Sequence, residues 1–231
     1  MSRQIDAVIF DLDGTLMDSQ PPVLKATKEA LARFGIVASD DEVRRRFGGG
    51  SQNLMSFFLV RDLGEARADE RIDAAVEAKN TLQTEYSTAA KLLPGVVELL
   101  SQLKQDEFRL AIATMGAGSV ARRVLFHNSI DSYFEAVLTA DDVTRPKPDP
   151  EILTTTAERL GVDASSCLYV GDSTHDLDAS RASGMPFVLA DTGLFVDGQR
   201  RIELRDRAIA LGCPVVATNE LERIAEIAWG D

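Results

Sequence analysis

Cysteine is scarce in this chain of 231 residues, where only Cys167 and Cys213 occur. Both sit in apolar runs, CLYV and CPVVA, where a thiol serves as core packing. Such usage fits a reducing cytoplasm rather than a disulfide framework. A basic excess is lacking as well: the net charge is -12 and the isoelectric point lies near 4.7. A nucleic-acid backbone or an anionic membrane surface would be repelled at long range, so neither is expected as a partner. No uncharged apolar run approaches the ~18 residues that a membrane span needs. The opening MSRQIDAVIFD reaches its first apolar run without the h-region of an export signal. What is present is core-forming substance, at 45% hydrophobic residues. That is enough for one large domain, or for one domain carrying an insertion.

Short apolar runs rich in β-branched and aromatic residues recur at 6–10, 109–114, 135–139, 167–171, 186–190 and 214–218. Each reads as a buried strand. Between them lie helical spacings, such as Val96, Leu99, Leu100, Leu103 and Ile152, Ala157, Leu160. Gly161 and Gly184 read as helix stops, and Asp149-Pro150 as an N-cap followed by proline at the first helical position. This alternation implies right-handed crossovers and an α/β fold: a doubly wound, Rossmann-like parallel sheet covered on both faces. One interval departs from it. From Asp18 to about Lys91 only helical patterns occur, at 24–34, 51–62 and 67–88. The expected division is therefore an α/β core, 1–17 and 91–231, with an inserted α-helical cap, 18–90, able to exclude water from a site.

In an open parallel sheet, ligands bind outside the carboxyl ends of the strands. Asp11 and Asp13 follow the first run, Thr114 the second, Lys147 lies after the third, and Asp172 and Asp176 follow the fourth. Two unit charges about 4 Å apart repel by roughly 4 kcal/mol at an effective dielectric of 20. Lys147 alone cannot balance four such aspartates, so either some are protonated or a cation binds. Oxygen-only ligands in a compact site favour Mg²⁺ over Ca²⁺ or Zn²⁺. An EF-hand is set aside, since neither its spacing of ligands nor a preceding helix is present at Asp11. A hard cation and a lysine around a carboxylate suit phosphoryl transfer, with Asp11 as covalent nucleophile and Asp13 as acid and base.

DLDGTL (11–16), Thr114 after AIA, Lys147 between prolines and GDSTHD (171–176) together resemble, in order, the four motifs of the haloacid dehalogenase superfamily. The helical interval resembles that superfamily's small α-helical cap. The resemblance implies that Asp11 attacks phosphorus, that Asp13 protonates the leaving oxygen and then activates water, and that Thr114 and Lys147 hold the phosphoryl oxygens. It further implies that Asp172 binds Mg²⁺ with Asp11 and the backbone carbonyl of Asp13, while Asp176 orients the site. Aspartate at position 13 implies a phosphatase or phosphomutase rather than a dehalogenase, acting on a small phosphorylated metabolite as a monomer or small homo-oligomer.

Within the superfamily the chain resembles phosphoglycolate phosphatases and β-phosphoglucomutase-like members. VRRRFGGGS (43–51) stands where these carry a cap loop facing the substrate, which makes Arg44, Arg45, Arg46, Gly49 and Gly50 candidate substrate contacts. Met115 is another candidate, and it departs from the asparagine or serine frequent after the second-motif threonine. Gly48 to Gly50 read either as an anion nest or as a hinge. His175 reads as a loop or cap residue and His127 as structural. The competing readings are a sugar-phosphate mutase, a phospho-acceptor switch of response-regulator type and a degenerate binding protein.

Overall fold

The computed structural model describes residues 4–47, 49–196 and 198–230. Six strands form one parallel sheet: β1 (Ala7–Phe10), then, past the two short strands described below, β4 (Arg109–Ala113), β5 (Ala136–Leu138), β6 (Cys167–Gly171), β7 (Phe187–Asp191) and β8 (Val215–Ala217), in the order β5-β4-β1-β6-β7-β8. The chain steps outward from β1 to one edge, then returns to the other side of β1. That reversal is the topological switch point of a doubly wound sheet, and it opens a crevice at the ends of β1, β4 and β6. All six apolar runs are strands, and CLYVG matches β6 residue for residue.

Strand alternation sorts side chains into two cores. Val8, Phe10, Leu110, Ile112, Leu168 and Val170 face one side, where they meet α6 (Val96–Gln105), α7 (Gly118–His127) and α11 (Arg223–Trp229). Ala7, Ile9, Ala111, Ala113, Cys167 and Tyr169 face the other, against α8 (Glu151–Leu160), α9 (Thr174–Ser183) and α10 (Gly198–Ala210). Covered on both faces, the strands need apolar residues at every position, which is why their sequences do not alternate. Gly161 and Gly184 end α8 and α9 in the left-handed conformation, as expected. The start of α8 falls one residue later than expected: Pro150 itself is the N-cap, and the Asp149 carboxylate accepts the Glu151 N–H at 3.0 Å.

Between the first and second strands of the large sheet lie five helices: α1 (Gln20–Ala32), α2 (Asp40–Arg44), α3 (Gly50–Leu63), α4 (Glu65–Asp69) and α5 (Ile72–Tyr86). Their apolar faces share a separate core built on Leu24, Leu31, Met55, Phe58, Leu59 and Leu82. Two findings correct the sequence reading. The stretch 67–88 is not one helix but α4 and α5, broken at Glu70 and Arg71, with a turn of 3-10 helix after α5. Also, α2 lies in a stretch with no expected helix, opened by a capping box in which Ser39 and Glu42 satisfy each other's backbone N–H. At the two ends of this interval, β2 (Met17–Asp18) pairs antiparallel with β3 (Lys91–Leu92). No helix among the described residues is long and apolar enough to cross a membrane.

Candidate active site

Asp11 is the first residue after β1, its N–H bonded to Val170 O at 2.8 Å, so the chain leaves the sheet at the crevice. Three residues on, Gly14 turns the chain with φ of 87°. A Cβ there would lie 2.3 Å from Asp172 Oδ2 and 2.6 Å from the Phe195 ring, so only glycine fits between the two acidic segments. Thr192, just past β7, fastens the turn by donating to Gly14 O at 2.6 Å.

Lys147 sits at the centre, 2% exposed. Its ammonium donates to Asp11 Oδ1 at 2.9 Å, Asp176 Oδ1 at 2.9 Å and Ala113 O at 2.8 Å, and contacts the Tyr169 hydroxyl. Those carboxylates hold the ammonium charged and raise its pKa against the opposing effect of burial. Asp176 spends both oxygens on neighbours: Oδ1 takes Lys147 and Tyr169, and Oδ2 takes the N–H and hydroxyl of Ser173. Burial pushes its pKa up, but Lys147 and these bonds outweigh it and hold the group below the ordinary carboxylate value.

In Asp11 and Asp172 burial outweighs such support. Burial raises the Asp11 pKa to about 7, with Lys147 pulling the other way. Asp172, also buried, is raised well above the usual value by burial and by the charges of Asp176 and Asp11. Its Oδ2 is buried and finds no hydrogen-bond partner among the described residues. One oxygen from each of Asp11, Asp172 and Asp176 lies within 4.8 Å of the others. A bare, buried carboxylate oxygen in an all-oxygen group is the donor set of a hard divalent cation, so the residues fit one. Asp13 stands apart from this trio. Its carboxylate accepts from the Ser19 hydroxyl, and burial raises its pKa.

The crevice holds a pocket, open on one side, lined by Asp11, Asp13, Thr114, Met115, Lys147, Asp172 and Asp176, so the expected side chains of the sheet all reach one place. Thr114 Oγ1 accepts the Gly116 N–H at 3.0 Å, which leaves its own proton available to the cavity. From the cap loop, Arg46 and Gly50 line the cavity; Arg44, Arg45 and Gly49 do not. Arg46 stacks over the Phe57 ring at 3.6 Å. Arg45 accepts at its carbonyl from Arg200 at 3.2 Å, and Arg44 lies 3.8 Å from Asp41 with its Nε buried. Gly49 borders a neighbouring cavity instead, and Gly48 lies outside the described residues. His175 and His127 are in helices α9 and α7 and do not line the cavity.

Beyond Arg46, sequence reasoning missed a second charged group from the inserted helices. Lys79 of α5 is 5% exposed, lines the cavity and donates to Ser51 Oγ at 2.8 Å and to the Gln83 amide oxygen. Burial lowers its pKa to about 8, partly opposed by the charge of Asp13. Phe195, on the loop after β7, was also missed; its ring centroid stands 4.7 Å from that of Phe47, closing the cavity on the side of the helices.

Residues 8–190 match the family described as haloacid dehalogenase-like hydrolase. A probable phosphatase, IndB of Dickeya dadantii, is 34% identical over 196 residues, covering 83% of this chain and 84% of the relative. A phosphoglycolate phosphatase of Nitrosococcus oceani is 32% identical over 200 residues, covering 84% and 87%. Among solved structures, a hydrolase from Pseudomonas syringae has a TM-score of 0.79 at 28% identity, over 96% of this chain and 97% of that one. CbbY from Rhodobacter sphaeroides, solved in complex with phosphate, reaches 0.82 over 98% and 100% at 20% identity, a likeness of fold. The chain belongs to the haloacid dehalogenase-like hydrolases and is a phosphatase of that family.

Proposed function

We propose that the protein hydrolyses a small phosphate monoester, of phosphoglycolate or sugar-phosphate type, through an aspartyl-phosphate on Asp11 and with Mg²⁺ bound. The observation that carries this reading is the convergence of Asp11, Asp13, Thr114 and Lys147 on one cavity beside the unpartnered Asp172 Oδ2. Asp11, Asp172 and the backbone carbonyl of Asp13 would hold the ion, which supplies positive charge to balance the carboxylates and the phosphoryl oxygens.

The remaining steps belong to the chain's own groups. The Asp11 carboxylate attacks phosphorus as the bond to the leaving oxygen breaks, and Asp13, whose pKa burial raises, delivers a proton to that oxygen. Asp13, now ionised, takes a proton from the water that attacks the aspartyl-phosphate, and phosphate leaves. Thr114 and Lys147 hold the phosphoryl oxygens, and Asp176 fixes the Lys147 ammonium against Asp11.

In this reading residues 1–17 and 91–231 form the core and residues 18–90 the cap, with the β2–β3 pair as the double connection. Lys79 and Arg46 bring cap charge to the substrate's own polar end. The test is a panel of phosphate monoesters assayed with and without Mg²⁺. Phosphate release that requires the metal is expected; release unaffected by chelation would remove the metal from the account.

A further inference from the structure

Tyr169 lies midway along β6, buried on the sheet face that meets α8 and α9. Its ring packs beside that of Phe187, with centroids 6.1 Å apart, and Lys147 Nζ stands 5.1 Å from the centre of the Tyr169 ring. The side chain does not line the pocket. A phenol hydroxyl at this depth needs a partner, and it finds one among the charged groups: it donates to Asp176 Oδ1 at 2.7 Å, and its oxygen faces Lys147 Nζ. Burial, with the charges of Asp176 and Asp11, raises the Tyr169 pKa well above the ordinary phenol value, so the hydroxyl keeps its proton and remains a donor.

Protons are short around Lys147. An ammonium carries three, whereas four oxygens of the chain surround this one: Asp11 Oδ1, Asp176 Oδ1, Ala113 O and the Tyr169 hydroxyl. Holding a phosphoryl oxygen adds a further demand, so one present contact has to yield. Asp176 is the acceptor able to release the ammonium. Its Oδ2 takes the N–H and hydroxyl of Ser173, and its Oδ1 takes Tyr169 as well as Lys147. When Lys147 turns to the phosphoryl group, Asp176 keeps three donors, one of them on the oxygen that Lys147 leaves. Without the Tyr169 hydroxyl that oxygen would be stripped bare, and the cost of an unpartnered buried charge would hold the ammonium where it is.

Building on the phosphatase reading, we infer that Tyr169 is a positioning residue: its hydroxyl stands in for Lys147 at Asp176 Oδ1 and so releases an ammonium proton to the phosphoryl group. Tyr169 touches no substrate and acts through Lys147, and its contribution falls on the affinity of the site for a phosphoryl anion.

The experiment compares wild type, Tyr169→Phe, Asp176→Asn and the double variant. It reads kcat/KM on the ester that wild type turns over fastest and, by titration calorimetry with Mg²⁺ present, the Kd of inorganic phosphate. Phenylalanine preserves the ring and removes only the hydroxyl. Tyr169→Phe is expected to raise the Kd and to lower kcat/KM by about tenfold each, the scale of one hydrogen bond to a charged group. In the Asp176→Asn background no carboxylate pins the ammonium, and the same change is expected to move the Kd by less than about twofold. A hydroxyl with a merely structural role would act alike in both backgrounds. That result, or wild-type constants in Tyr169→Phe, would overturn the inference and leave the phosphatase reading standing. A wild type inactive on every ester would end that reading and this inference with it.

Discussion

Lys147 Nζ stands 2.9 Å from Asp11 Oδ1, with the lysine 2% and Asp11 7% exposed. This contact joins a lysine on the loop before α8 to an aspartate 136 positions earlier in the chain, at the end of the central strand. It holds the proposed nucleophile and presents its free oxygen to the cavity. Removing the ammonium leaves Asp11 and Asp176 facing each other in a buried site. Lys147→Met is expected to cost about 3–5 kcal/mol, the usual penalty for breaking a buried pair from one side. Thermal unfolding with and without Mg²⁺ checks this: the metal restores part of the loss, because it supplies the missing charge.

Gly14 offers a sharper probe of the metal site. Gly14→Ala puts a methyl group where Asp172 Oδ2 and Phe195 now lie, whereas Gly35→Ala, at φ of 74° with no atom within 4 Å of the new Cβ, adds backbone strain alone. Both variants are expected to lose about 1–3 kcal/mol from the left-handed backbone. Only Gly14→Ala is expected to weaken Mg²⁺ binding, read by titration calorimetry. Equal affinity in the two variants would separate Asp172 from the metal.

Lys79 gives the pH dependence. Burial takes its pKa from 10.5 in the unfolded chain to about 8. Between those values the unfolded state binds more protons than the folded one, so stability rises with pH through this window. Below it, the buried ammonium costs stability in full. Lys79→Met is therefore expected to be more stable than wild type at pH 7 and to lack the rise above pH 8. If Lys79 also meets the substrate's anion, wild-type kcat/KM falls above pH ~8 and Lys79→Arg moves that limb upward.

Ser19 is the N-cap of α1, yet its side chain makes no capping bond and donates to Asp13 instead. It holds the acid in place, and its hydrogen bond opposes the rise in the Asp13 pKa that burial causes. Ser19→Ala is expected to lower kcat by about ten to a hundredfold, less than the roughly 10²- to 10⁴-fold that loss of the general acid itself would cost, with little change in KM. The kcat limb that follows Asp13 moves to higher pH, and Ser19→Thr restores both.

The large sheet and the acidic crevice were legible because both are written in local signals. A strand buried on two faces shows itself as an unbroken apolar run, as CLYVG does, and polar residues just past such runs fall at one rim by topology alone. The inserted interval was legible only as helix. Its two-residue strands β2 and β3 are too short to show a period, and the break between α4 and α5 carries no glycine or proline. Lys79 was hidden for a different reason: a lysine within a helical pattern reads as solvated surface until the folded chain brings it to the same pocket as Asp13. Of the arginine run, only Arg46 lines the cavity, because the turn at 45–47 leaves Arg44 and Arg45 outside it. Phe195 is likewise a long-range effect, since the loop after β7 meets the helices only in the folded chain.

The most direct measurement is mass spectrometry of the enzyme quenched in acid during turnover of its best ester. With Mg²⁺ present, the phosphoryl group is expected on the peptide that contains Asp11, and Asp11→Asn is expected to show neither that adduct nor phosphate release. A variant that still releases phosphate at the wild-type rate, or an adduct on any other residue, would contradict the account.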